Sequence, residues 1–492
     1  MLESLPLPSP NVIMLTDASD ASTDVLIVGI SGKQQDSGTL TRLNEVGDGW
    51  IDRLRERKAI SCNRGKVNKL VPAIKDGPPV VLLVGTGDDT RDHRVDAFET
   101  AAIAIRSITN SELDQVDIAI GECFDPSTHD AIVAGAICAC ENLAIYHSEP
   151  SSHVPTTIRF SGISQEAIER GKIIGHAMIR TRRLVNEPAG VIYPESFAEQ
   201  SRKMADASGL DIEVWDETKL ESENCRAILA VGAGSARPPR IVIFRHQGGG
   251  DEAPIAIVGK GVTFDSGGLS IKPSDGMVDM KCDMAGAATV FGVMQAVAKL
   301  GVKRNVIGVC GLAENMISGT SYKLGDVIKT RSGKTIEILN TDAEGRVVLA
   351  DTLDVTRENA PSSIVDLATL TGACMVALGM EVAGLMTNDQ PLCDAVSQAA
   401  KHEGEPVWQL PMFDLYDEKV KSKVADIKNV GEGRWGGAIT AAKFLENFVG
   451  DTPWVHIDIA GPAFVDSPKP HRDAGATGVM VRTLLNWIES QS

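Results

Sequence analysis

Short runs without polar alternation recur along the chain, each followed by a stretch with helical spacing. Pro79-Val80-Val81-Leu82-Leu83-Val84-Gly85, Ile255-Ala256-Ile257-Val258, Asn305-Val306-Ile307-Gly308-Val309-Cys310 and Ile364-Val365-Asp366-Leu367-Ala368 are the clearest. A strand wet on one face alternates polar and apolar residues. A strand that does not alternate is buried on both faces, which is the condition of a parallel sheet between helical layers. The pattern predicts an α/β fold with a central, mostly parallel sheet flanked by helices.

The order of elements divides the chain. At 492 residues the length admits about three domains, and two plus a connector is the reading adopted. Residues 11–15, 24–29 and 79–85 are predicted strands, and 94–109 and 128–147 predicted helices, which make an N-terminal α/β domain over 1–160. A polar, proline-containing break lies at 149–155. Ser164 is placed to cap a helix that runs to about Val185 and is stopped by Asn186-Glu187-Pro188-Ala189-Gly190, giving a connecting helix over 161–190. The second domain, 191–492, carries predicted strands at 212–215, 227–231 and 240–244 and helices at 285–300 and from Ala438. Gly85-Thr86-Gly87 and Gly232-Ala233-Gly234 each lack the third glycine of a dinucleotide loop, since Thr90 and Arg237 stand there.

Charge and composition exclude several classes. A net charge of −18 disfavours phosphate-driven nucleic-acid binding. Arg180, Arg182 and Arg183 are read as a solvated helix end favoured by the helix dipole. Nine scattered cysteines suggest reduced thiols in the cytoplasm, with Cys138 and Cys140 in a core helix. The segment from Met1 to Pro6 lacks the pattern of a signal peptide, and no apolar run is long enough to cross a membrane.

Two segments carry the chemistry. Asn340-Thr341-Asp342-Ala343-Glu344-Gly345-Arg346 joins a β-like run to a helix start, the place where α/β folds put their sites. In an extended segment Asp342 and Glu344 would point to one side and repel unless a cation sat between them. A hard divalent metal suits that role, although Arg346 alone could supply the charge of a surface ion pair. The second segment runs from Gly259 to Pro273, with Lys260, Asp265 and Lys272, and continues at Met280-Lys281-Cys282-Asp283. Asp265, Asp283, Asp342 and Glu344 together balance two divalent ions. Spacing alone makes Lys260 an ion-pair partner of Asp265. Lys272 is either paired to Asp275 or Asp279 or free to stabilise an oxyanion. Arg346 offers a planar fork for a carboxylate-like anion. Neither segment contains a histidine.

Both segments, with Trp454-Val455-His456-Ile457-Asp458-Ile459-Ala460-Gly461-Pro462, resemble the leucyl (cytosol) aminopeptidases, two-metal exopeptidases. The resemblance is dense over roughly 160–492 and extends to the N-terminal third only in general layout. It implies a metal-dependent aminopeptidase that removes leucine and other apolar residues from peptides with a free N-terminus, whose α-amine can coordinate a metal. It implies two ions, manganese or zinc with magnesium admissible, held by Lys260, Asp265, Asp283, Asp342 and Glu344, with Asp265 and Glu344 bridging. Lys272 would then stabilise the oxyanion, and Arg346 would hold a bicarbonate that serves as general base. Met280, Thr369, Gly372 and Ala460 match the residues of the first side-chain pocket. His456 and Asp458 are read as structural. A cytoplasmic homohexamer of two stacked trimers is implied, with the N-terminal domain serving assembly and shielding of the active site, and some relatives also bind DNA. Other two-metal hydrolases, such as phosphoesterases, usually add histidine ligands. Val347, Leu324 and Gly190 depart from the family's usual residues without touching the ligand set.

Overall fold

The computed structural model describes residues 7–15, 23–32, 37–72, 77–87, 93–149 and 152–491. Met1–Pro6, Thr90 and the Pro150-Ser151 part of the proposed break lie outside them. The chain divides into two compact units, one of Met1–Ile179 with Ser467–Ala474, the other of Arg180–Asp466 with Gly475–Ser492. The division falls inside a single helix, Gln165–Asn186, whose first turn Ser164 Oγ caps by accepting from Ala167 N.

In the first unit the described residues form a six-stranded sheet. Its strands are β1 (Asn11–Met14), β2 (Val25–Ile30), β3 (Val67–Leu70), β4 (Val80–Gly85), β5 (Gln115–Ala119) and β6 (Thr157–Phe160), in the order β1-β6-β5-β2-β4-β3. All neighbours are parallel except β3 on β4. The helix expected over 128–147 is shorter, His129–Cys138.

The second unit holds β7 (Asp211–Trp215), β8 (Arg240–Gln247), β9 (Ile255–Asp265), β10 (Asn305–Asn315), β11 (Val327–Lys329), β12 (Thr335–Glu337), β13 (Ser363–Ala368), β14 (Ala383–Thr387), β15 (Val407–Gln409), β16 (Ile427–Lys428) and β17 (Trp454–Asp458). Eight of them form one sheet, β15-β14-β17-β13-β9-β10-β8-β7, parallel at its centre and antiparallel where β14 meets β17 and where β8 meets β10 and β7. β11, β12 and β16 make a small separate sheet. Helices cover both faces of the centre. A Cβ on Gly308 would strike Met294 of the Ala285–Leu300 helix, whereas one on Gly311 would strike Val348 and Thr352 of the Glu344–Arg357 helix. Residues an odd number apart on a strand face opposite ways, so β10 is sandwiched. That double burial is why these strands read as uninterrupted apolar runs.

Three local expectations are corrected. Residues 227–231 are not a strand but part of the helix Arg226–Gly232. Asp351 Oδ2 accepts from Ala227 N and Ile228 N, so the donors at this helix start are satisfied from far along the chain. Arg182 is buried, with Nε donating to Ala476 O at 3.1 Å, so it does not belong to a solvated patch. β10 runs past Cys310 to Asn315, because Gly311-Leu312-Ala313 continue the buried pattern. Among the described residues no helix is long and apolar enough to cross a membrane and no cysteine forms a disulfide, with Cys138 and Cys140 buried as expected.

His456 and Asp458 on β17 are fully buried. His456 Nδ1 lies 2.6 Å from Asp366 Oδ1 on β13, and Trp454 Nε1 donates to the other Asp366 oxygen. Burial alone would pull the imidazole pKa down, but the Asp366 charge and hydrogen bond more than offset this and hold it above its usual value. A group whose folded pKa is raised stabilises the fold fully below its unfolded value, about 6.5, and that contribution disappears as pH climbs through the folded value. Asp366→Asn is therefore expected to destabilise the protein by about 3–5 kcal/mol below pH ~6.5 and by less at alkaline pH. Denaturant unfolding of both proteins across this range checks the sign; a loss that grows with pH would refute it.

Candidate metal centre

The sheet brings the two sequence segments together at strand ends. Asp265 is the last residue of β9, and Lys260 lies five residues back on the same strand. Asp283 follows the single turn Met280–Cys282, just before the Ala285–Leu300 helix. Asp342 sits in the turn before the Glu344–Arg357 helix, and Glu344 opens that helix, where its dipole favours a carboxylate. The segment from Asp342 to Glu344 is thus not extended. A turn and a helix start converge the two acids, rather than alternation along a strand.

Both lysines lie between carboxylates. Lys260 Nζ is 2.8 Å from Asp283 Oδ1 and 3.0 Å from Glu344 Oε1, and donates to Thr369 O at 2.9 Å. Its nearest carboxylates are therefore not that of Asp265, as spacing suggested. Lys272 Nζ is 2.8 Å from Asp265 Oδ2 and 2.5 Å from Asp342 Oδ1, so its ion-pair partners are not Asp275 or Asp279, the alternative that spacing left open. Lys260 is buried, while the Lys272 side chain keeps 18% of its surface exposed. Burial lowers the pKa of each lysine, but the adjacent carboxylates outweigh it and hold both ammonium groups above their usual range.

The residues present fit divalent cations. Asp265, Asp342 and Glu344 each offer one oxygen, and these oxygens lie within 4.8 Å of one another. Glu344 Oε2 and Asp283 Oδ2 are buried and have no hydrogen-bond partner. Four acids meet two lysines, so half of the negative charge is unbalanced. Burial and mutual repulsion push the carboxyls of Asp283, Asp342 and Glu344 upward, a state that bound cations would reverse. Oxygen donors with one amine suit a hard or borderline divalent ion.

Arg346 is buried in the first turn of the helix, with Nη1 donating to Asn429 O at 3.0 Å and Nε unpartnered. Met280 is half-buried in the turn that leads to Asp283. Thr369 follows β13 and its Oγ1 donates to Asp283 Oδ1 at 2.7 Å. Gly372 starts a helix in open space. Ala460 follows β17, its N donating to Asp458 Oδ1. The same Asp458 carboxylate accepts from Leu370 N and Thr371 Oγ1, so one buried acid ties the loops that carry Thr369, Gly372 and Ala460.

Sequence reasoning passed over the polar residues that hold the loops. Asn315, at the end of β10, bonds Asp265 and Thr341 O. Thr341 Oγ1 donates to Gly267 O and accepts from Ser270 N. Asn429 Nδ2 donates to Asn340 O while its Oδ1 accepts from Leu339 N. The available signal was a polar residue closing an apolar strand, as in Ala313-Glu314-Asn315. The partners of these residues lie too far along the chain for any local pattern to name.

The chain is similar to known proteins along its whole length. The catalytic-domain model of the cytosol aminopeptidase family matches residues 179–485. A probable cytosol aminopeptidase of Rhodopirellula baltica is 60% identical across 100% of this chain and 99% of its own length. Another, from Syntrophotalea carbinolica, is 38% identical across 98% of this chain and 99% of its own. Among solved structures, the bottromycin maturation enzyme BotP in complex with Mn superposes with a TM-score of 0.85 at 33% identity, over 96% of this chain and 100% of that one. A mutant of tomato leucine aminopeptidase gives 0.87 at 30% identity, over 98% and 97%. The convergent acids and lysines, and similarity that spans the chain, lead to one conclusion: this protein belongs to the cytosol aminopeptidase family and is a metal-dependent hydrolase that acts on peptides.

Proposed function

We propose that the protein releases N-terminal amino acids, preferentially leucine and other apolar residues, using two divalent cations held by Lys260, Asp265, Asp283, Asp342 and Glu344. The observation that carries this reading is the convergence of four carboxylates around two lysines, with buried oxygens of Asp283 and Glu344 left unpartnered. Manganese, zinc and magnesium are all compatible with the donors, and the manganese complex of BotP favours the first. Bound at such a site, divalent cations polarise a scissile carbonyl and lower the pKa of water.

The chain's own groups then have distinct tasks. Lys272 is the partly exposed cation beside Asp265 and Asp342, suited to meet developing negative charge on the substrate carbonyl oxygen. Arg346, buried and with Nε unpartnered, is suited to hold bicarbonate as general base where no histidine stands in either segment. Met280, Thr369, Gly372 and Ala460 form the first side-chain pocket, a reading supported by the shared Asp458 anchor and by the Thr369 bond to Asp283. The N-terminal unit serves assembly of a cytoplasmic homohexamer. The net charge of −18 lends no support to a DNA-binding role.

Metal-stripped protein is expected to lose cleavage of leucine amide and to regain it with Mn²⁺, while N-acetyl-leucine amide stays intact throughout; equal cleavage of the blocked compound would overturn the N-terminal reading. Lys272→Ala is expected to lower kcat roughly 10²–10³-fold. The manganese content of that variant, measured by elemental analysis, should match the parent. Gly345→Ala tests the Lys260 site differently. Its added Cβ would lie 2.4 Å from Lys260 Cε and 2.6 Å from Nζ, both buried. It is expected to retain less manganese after desalting than the parent, and full retention would remove Lys260 from the ligand set.

A further inference from the structure

Asn315 closes β10 opposite Asp265 on β9, just after the register of the two strands shifts between Ala313 and Glu314. It is fully buried. Its Nδ2 donates to Asp265 Oδ1 at 2.8 Å and to Thr341 O at 3.0 Å. Both partners are acceptors only, so the amide cannot be turned over without setting its own oxygen against a carboxylate. That oxygen, Oδ1, has no hydrogen-bond partner. A residue retained for packing would satisfy both ends, because buried polar groups left unpaired are unfavourable. Here both donors go to the two ligand-bearing loops and the acceptor is left bare.

The surrounding bonds continue the same connection. Ser266 donates to Asn315 O from its backbone N at 3.1 Å and its Oγ at 2.8 Å. Gly267 N donates to Asp265 Oδ1 at 2.9 Å. With Asn315 and Gly267 both on Oδ1, that oxygen has its lone pairs engaged, and Oδ2, 2.8 Å from Lys272 Nζ, is the one with a lone pair to turn toward a metal ion.

We propose that Asn315 is a positioning residue for the metal centre: it fixes which oxygen of Asp265 is presented and holds it in step with the Asn340-Thr341-Asp342 turn. This rests on the assignment of Asp265 and Asp342 as ligands. Without Asn315, Asp265 Oδ1 keeps only the Gly267 bond, so the choice of oxygen is held less firmly, and the link to Thr341 O is lost.

The test uses full-length, metal-stripped protein as parent, Asn315→Ala and Asn315→Asp. Thermal melts of the metal-free proteins report folding. Titration calorimetry with Mn²⁺ reports affinity, and electron paramagnetic resonance reports whether bound ions are spin-coupled. At least one variant is expected to melt close to the parent without metal, yet to bind Mn²⁺ roughly 10- to 100-fold more weakly, as loss of an outer-shell partner does. It should also show a larger share of uncoupled ions. Parent-like affinity and spectra in the folded variants would overturn the proposal. So would failure of both variants to fold, which would assign Asn315 to packing alone. A parent that takes up no Mn²⁺ would sink the ligand assignment itself, a result distinct from unchanged variants of a parent that does.

Discussion

Repulsion among buried carboxylates is the constraint around which the second unit is built. Asp265, Asp283 and Glu344 are almost fully removed from solvent, and Asp342 lies against them. Charges in such a place are tolerated only when paired or when they coordinate metal. Lys260 and Lys272 each bridge two acids and hold the cluster together, but they balance only half of its charge. The sheet makes this tolerable by supplying rigid strand ends. β9 contributes Lys260 and Asp265 from one element, and two helix starts contribute the acids that face them.

Close approach of these elements depends on residues without side chains. Lys260 leaves β9 opposite Gly345, the second residue of the facing helix, and any Cβ there would occupy the space of the lysine stem. On the other side, a Cβ on Gly286 would lie 2.2 Å from Leu367 O, so the Ala285–Leu300 helix reaches β13 only as glycine. The glycine inside Asp342-Ala343-Glu344-Gly345-Arg346 is therefore part of the lysine's environment rather than a hinge.

Much of this was legible because the physics is local. Buried strands announce themselves as unalternating apolar runs, and the 285–300 helix was readable to its ends. Charged residues grouped beside glycines at strand ends marked the site. What escaped prediction depends on distant partners. Residues 227–231 have the composition of a strand, yet Asp351 supplies acceptors to the donors at a helix start there. Spacing paired Lys260 with Asp265 and offered Lys272 only Asp275 or Asp279 as ion-pair partners, because sequence proximity says nothing about which loops fold back. Arg182 looked solvent-facing until Ala476, near the other end of the chain, supplied its acceptor.

The hydrogen bonds also sort the oxygens of each acid. Asp283 Oδ1 takes Lys260 and Thr369, and its Oδ2 takes nothing. Glu344 Oε1 faces Lys260, and its Oε2 takes nothing. Asp265 Oδ1 takes Asn315 and Gly267, and its Oδ2 faces Lys272. In Asp283 and Glu344 one oxygen is anchored by the protein and the other is unpartnered, whereas in Asp265 Oδ1 holds two hydrogen bonds and Oδ2 is paired with Lys272. A carboxylate with two free oxygens could swing between binding modes, whereas one anchored oxygen sets the direction in which the other presents its lone pairs. Anchoring one and sparing one fixes direction without surrendering the donor, which is how outer partners orient metal ligands in general. Thr369 and Asn315 do this anchoring for Asp283 and Asp265, pairings that no local pattern singles out.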